Sequence, residues 1–172
     1  MVQVYDKTHD KSNKNDAVRS KKEKTIAIPL IIADSEVVQK MVKEIVPKHY
    51  PELIHARFLC LCRNRASKSD GEPVPGTIRK ANPTERHLSG SDGNEGSDFI
   101  LTVALDVWND LQPSQRVALV DHLLARCVVT EDKGTGDLKY KLRPFQVQEF
   151  PEVAERNGTW NEGLVALAES LK

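Results

Sequence analysis

The stretch DFILTVALDVWNDLQPSQRVALVDHLLARC, residues 98–127, decides the fold. It opens on FILTVAL, Phe99 to Leu105, which is apolar on both alternating faces and so has the pattern of a strand covered on two sides. A central strand is the expectation. After a helical turn over Asp106 to Leu111, Pro113 or Ser114 starts a helix expected to reach about Cys127. Proline is at home in a first turn, and Val117, Val120, Leu124 and Cys127 recur along one stripe that Leu119 and Leu123 widen. That helix is expected to be the most buried in the protein.

Outward from this unit, the pattern alternates again. Towards the N-terminus, Ile26 to Ile32 is apolar around Pro29 and reads as an extended lead-in. Asp34 or Ser35 then caps a helix through about Val46, where Val37, Val38, Met41, Val42, Ile45 and Val46 recur at three- and four-residue spacing, and Pro47 is expected to close it. A short segment over Tyr50 to Leu53 leads to a largely buried strand, His55 to Cys62. Arg63 to Gly76 reads as a polar loop, Gly76 to Asn82 as a short strand, and SGSDGNEGS, Ser89 to Ser97, as a loop in which three glycines raise the entropy cost of order. Towards the C-terminus, Val128 to Thr130 and Leu138 to Leu142 flank EDKGTGD as a hairpin. Pro144 ends it, a helix follows over Val147 to Arg156 before Asn157-Gly158, and residues 161–172 form a last helix. Strands and helices interspersed in this way predict an α+β domain with a small mixed sheet packed against the helix at 114–127.

The chain has 172 residues, which suits one domain with a tail. Residues 1–24 hold seven basic side chains (Lys7, Lys11, Lys14, Arg19, Lys21, Lys22, Lys24) against four acidic ones (Asp6, Asp10, Asp16, Glu23), a net of +3 with hardly any apolar content. They read as a disordered basic tail, leaving residues 25–172 as the domain. With 25 Lys and Arg against 25 Asp and Glu, the whole chain is formally neutral, so no global field draws it to nucleic acid or a membrane. No apolar run approaches the roughly 20 residues of a bilayer span, the N-terminus has no signal-peptide core, and three cysteines make no complete disulfide framework. A soluble protein of a reducing cytoplasm is the expectation.

Three stretches taken in order carry a resemblance. SEVVQKMVKEIVPKHYPELIHARFLCL, then DFILTVALDVWNDLQPSQRVALVDH, then KLRPFQVQEF followed by GTW, together resemble the phage metallopeptidase family, small zincin-like proteins encoded mainly by phages and prophages. The resemblance spans about residues 34–160 and implies a minimal zincin-like domain. In that family the active-site helix continues as Asp-His-Glu-Leu-x-His-Cys, where two histidines one turn apart share a zinc and the glutamate serves as general base.

Here the same place reads Asp121, His122, Leu123, Leu124, Ala125, Arg126, Cys127. The resemblance aligns Leu123 with the base and Arg126 with the second ligand. A leucine takes no proton, and a guanidinium has no lone pair to offer a metal. The family's closing Arg-Pro-His-Asp becomes Arg143, Pro144, Phe145, Gln146, while Glu149 survives downstream. The resemblance thus implies a pseudoenzyme with no catalytic residue, no metal and no cofactor, whose former active site (His122, Leu123, Arg126, Arg143, Phe145, Gln146 and Glu149) forms a candidate binding surface. From the family's phage origin, the expected partner is a macromolecule, such as a host defence protein, met in the cytoplasm of an infected or lysogenic bacterium.

Two other classes stay open at this point. One is a residual zinc metallohydrolase using His122, Glu149 and cysteines, since Cys60 and Cys62 share a strand face that Cys127 or His122 could meet; inert core cysteines are the plainer reading. The other is a nucleic-acid-binding accessory protein acting through the basic tail and the loops around Arg63, Arg65, Lys68, Arg79, Lys80 and Arg86; solvated loops look the same. His49, His55 and His87 have no motif partners, and Trp108 and Trp160 read as packing residues at helix ends.

Overall fold

A computed structural model describes residues 29–90, 96–145, 147 and 151–172. The tail, Ile26 to Ile28, Gln146 and Glu149 lie outside the described residues.

The elements run β1 (Ile32–Asp34), α1 (Glu36–His49), a 3-10 turn (Pro51–Leu53), β2 (Phe58–Arg63), β3 (Ser67–Ser69), β4 (Glu72–Val74), β5 (Gly76–Lys80), α2 (Pro83–Ser89) and β6 (Phe99–Ala104). They continue as α3 (Leu105–Trp108), α4 (Pro113–Leu124), β7 (Cys127–Glu131), β8 (Leu138–Leu142), α5 (Pro151–Asn157) and α6 (Glu162–Ser170). The fold is α+β. Its main sheet has the order β1-β2-β6-β5, with β2 and β6 parallel and both edge strands antiparallel to their neighbours. β6 is internal, as its two apolar faces predict, and Phe99, Leu101, Val103 and Ala104 are all but inaccessible.

Side chains alternate along a strand, so Phe99, Leu101 and Val103 share one face, and the register sets Cys60 and Ile78 beside Leu101. These join Val38, Val42, Ile45 and Val46 of α1 and Val120, Leu123 and Leu124 of α4 in a single core cluster. The β7–β8 hairpin closes one end, where the Tyr140 ring meets Phe99 edge-on at 5.7 Å and Phe99 stacks on Phe58 at 5.5 Å.

Several expectations need correction. α1 does not stop at Pro47 but runs to His49; Pro47, which has no N–H to donate, lies on the exposed side of the helix, and Val46 still accepts the Tyr50 N–H at 2.9 Å. The polar run from Arg63 to Gly76 contains the β3–β4 hairpin, turned by Asp70 and Gly71, both at positive φ as a primed two-residue turn requires. A helix, α2, ends at Ser89, the first residue of the expected loop, of which residues 91–95 lie outside the described residues; Asn82 and Glu85 form its reciprocal capping box around Pro83.

α4 is not the most buried helix, for α1 buries four residues to its three. α4 ends at Leu124, which leaves Cys127 to open β7, and Val117 is exposed. In the expected helix from Val147 to Arg156, Val147 is not helical, residues 148–150 lie outside the described residues, and α5 runs over Pro151–Asn157 before Gly158 at φ 64°.

Candidate functional site

The last turn of α4 presents two faces. Inward, Leu123 is 4% exposed and lies so close to β5 that a Cβ on Gly76 would meet its Cδ1 at 3.0 Å. Outward, His122 is exposed and Arg126 half-buried. β7 and β8 pair Cys127 with Leu142, so the chain leaving β8 returns directly to the end of α4. There the Arg143 N–H donates to the Arg126 carbonyl at 2.8 Å, and Arg143 Nε donates to the Ala125 carbonyl at 2.5 Å. A cation on the otherwise unpaired carbonyls of a helix C-terminus is favourable both as a cap and against the helix dipole.

This tie brings Phe145 against two side chains, His122 of α4 and Arg126 just beyond the helix end. Its ring stacks on the His122 imidazole, centroids 5.4 Å apart and 16° from parallel, and the Arg126 guanidinium carbon lies 4.7 Å from its centroid. Cation, phenyl ring and imidazole thus form a layered stack, with Phe145 still 44% exposed. His122, Ala125, Arg126, Arg143, Pro144 and Phe145 line a cavity of about 140 Å³. The structure therefore brings together four of the sequence-predicted site residues, His122, Arg126, Arg143 and Phe145. It places Leu123 in the core, and Gln146 and Glu149 lie outside the described residues.

One polar pair at this helix was not anticipated. The Tyr50 hydroxyl donates to Asp121 Oδ1 at 2.7 Å and to the Asp121 carbonyl at 3.3 Å, joining the end of α1 to α4. Burial first, and then the Asp121 carboxylate, hold the phenol well above its ordinary pKa. This tyrosine stays protonated and acts as a hydrogen-bond donor.

A zinc of the kind the resemblance implies does not fit the residues present. Among the residues lining the cavity His122 alone offers an imidazole, and the two neighbouring side chains are guanidinium groups that have no lone pair to give and repel a cation. Among the described residues no three His, Cys, Asp or Glu side chains converge as a metal would need. Cys60 and Cys127 belong to the core, and burial pushes each thiol up to about 12, so both are protonated small hydrophobes at neutral pH; Cys62 is half-buried.

Much of the charge in the loops is matched internally. Arg79 forms a two-pronged pair with Glu85, and Arg63 donates to Ser67 Oγ and the Val74 carbonyl. Arg86 and Arg57 hold the buried Asp98 carboxylate, which also accepts the Arg57 N–H at 2.9 Å. Arg65, Lys68 and Lys80 are exposed. His49, His55 and His87 are exposed and do not line the cavity at the end of α4, Trp108 is buried under Arg116, and Trp160 is exposed.

No helix among the described residues is long and apolar enough to cross a membrane. Comparison with curated proteins and with solved structures gives no match. The family model described as "Putative phage metallopeptidase" matches residues 31–172, which is most of the chain and all of the folded elements. The chain belongs to that family.

Proposed function

We propose that this member of the phage metallopeptidase family is non-catalytic and uses the surface at the end of α4 to bind a macromolecular partner. The observation that carries the reading is the Arg126–Phe145–His122 stack, which occupies the place where the resemblance puts zinc and its ligands. A general base at position 123 would also have to face the core, where Leu123 now packs beside Gly76. Scaffold and catalytic chemistry have separated: the sheet and its two covering helices keep a full core, and the one imidazole left at the site is stacked against a phenyl ring.

A half-exposed aromatic ring flanked by arginines has the composition of an interface anchor, and the helix and strand ends that carry it are fixed by backbone hydrogen bonds. The partner we infer is a protein of the bacterial host in which a phage or prophage expresses this chain, a component of a defence system being the case that its origin favours. The site of action is then the host cytoplasm.

The test is affinity capture from host lysate with three baits: the wild-type chain, Phe145→Ala combined with Arg126→Glu, and Lys43→Glu at an exposed position of α1 outside the lining of the cavity at the end of α4. The account expects one partner retained by wild type and by Lys43→Glu and lost from the double variant. Equal recovery by all three baits would refute the surface assignment.

A further inference from the structure

Resting on the reading of this surface as a binding site, we infer that the cavity at the end of α4 takes a carboxylate, supplied by an acidic side chain of the partner protein. The first support is unmatched charge. Elsewhere Arg79 pairs with Glu85, Arg57 and Arg86 with Asp98, and Lys139 with Asp132, while Arg63 and Arg116 are held on hydroxyl and carbonyl oxygens. At this cavity Arg126 and Arg143 stand together, and among the described residues no carboxylate pairs with either. The Arg126 Nε is shielded from solvent and donates to nothing among those residues. A shielded donor on a cation is costly until an acceptor arrives.

The second support is preorganisation. Arg126 is held by its contact with the Phe145 ring, and Arg143 is held through Nε on the Ala125 carbonyl, so neither long side chain has to be ordered from a free state on binding. The Arg143 contact also occupies a helix-terminal carbonyl that would otherwise repel an anion. The third support is size and lining. About 140 Å³ holds a carboxylate with its methylene stem but no large ligand, and Pro144, Ala125 and the edge of Phe145 supply apolar wall for that stem. Nearby, Asp121 is engaged by the Tyr50 hydroxyl, and the exposed Val117 lies about one turn further back on α4. A carboxylate and an apolar residue flanking two arginines suit a protein partner better than the continuous row of phosphates in a nucleic acid.

The experiment follows the Arg126 Nε–H and His122 ring resonances of the full chain by NMR, with five-residue oligoglutamate, five-residue oligoglutamine, a ten-nucleotide single-stranded DNA and zinc chloride as separate probes. The inference expects saturable shifts with oligoglutamate and none with oligoglutamine. Arg126→Gln should weaken oligoglutamate binding at least tenfold with the fold intact. Phe145→Leu, which keeps both cations and frees Arg126, should weaken it less. Shifts that DNA produces at lower concentration than oligoglutamate would overturn the carboxylate assignment in favour of phosphate. No shift with oligoglutamate would overturn it as well. Zinc distinguishes the two levels: a zinc-induced shift of His122 defeats the non-catalytic reading itself, while silence towards both zinc and oligoglutamate defeats only the carboxylate pocket.

Discussion

Leu123 and His122 are adjacent in sequence, yet they sit in two regions of the molecule that obey different rules. The inner face of α4, with Val120, Leu123 and Leu124, belongs to the core cluster shared with β5, β6 and α1; the outer face meets the segment leaving β8 and solvent. A substitution on the inner face has to satisfy packing, whereas one on the outer face has to satisfy only solvent and whatever binds there. The two positions that the resemblance aligns with a base and a second ligand therefore differ in kind. Leu123 lies in the core, while Arg126 lies against the half-exposed Phe145 ring.

The largest effect should come from the inner face. Leu123→Ala is expected to cost about 3 kcal/mol in denaturant unfolding, since it removes a buried leucine from a packed site. Leu123→Glu should cost more, because its carboxylate would lie against Gly76 and Leu119 with no partner. A stability change within 0.5 kcal/mol of wild type, an order-of-magnitude bound for surface positions, would break the distinction between the faces. Next is Gly76→Ala, whose Cβ would stand 3.0 Å from Leu123 Cδ1 and 3.3 Å from the Thr102 carbonyl; a loss of about 1 kcal/mol is expected. Combined with Leu123→Ala the two losses should be less than additive, and strict additivity would mean that the contact does not exist.

The cysteines sharpen the contrast by reactivity. An excess of a thiol reagent on the native chain should label Cys62 and spare Cys60 and Cys127 until unfolding. Both buried thiols hold their protons up to about 12, against an ordinary 9.0, so between these values the unfolded chain has ionised thiols and the native chain does not. Stability should then fall as pH rises from about 9 towards 12, and melting curves across that window would show the decline. Rapid native labelling of all three thiols would contradict the burial. The smallest effect belongs to the outer face. His122→Ala should change stability by less than about 0.5 kcal/mol, measured beside Leu123→Ala in the same denaturant series.

What sequence made legible follows the same division. β6, α1 and the body of α4 declare themselves because local periodicity and burial coincide, and the β7–β8 hairpin is bounded by its turn residues. The apolar stripe drawn through Val117 and Cys127 overreached. It assumed one helix through Cys127, whereas the helix ends at Leu124, and β7 carries Cys127 into the core by another route. Two local signals were present and passed over: the Asp70-Gly71 turn between short polar strands, and the Asn82-Pro83-Thr84-Glu85 start of α2.

Sequence grouped His122, Arg126, Arg143 and Phe145, which the structure does bring together, but the contacts that gather them were not legible in it. Tyr50 reaches Asp121 across 71 positions, and Arg143 reaches Ala125 across 18, and neither contact has a local periodicity to announce it. Whether Leu123 joined the core or the surface depended on how close Gly76 lets β5 approach α4, which is a tertiary fact.

The most direct test of the central claim is the zinc content of the purified, untagged chain, measured by elemental mass spectrometry together with melting curves taken with and without a chelator. The account predicts zinc far below one equivalent and a melt that the chelator leaves unchanged. Near-stoichiometric zinc with a chelator-sensitive melt would contradict it and restore a metal site to the end of α4.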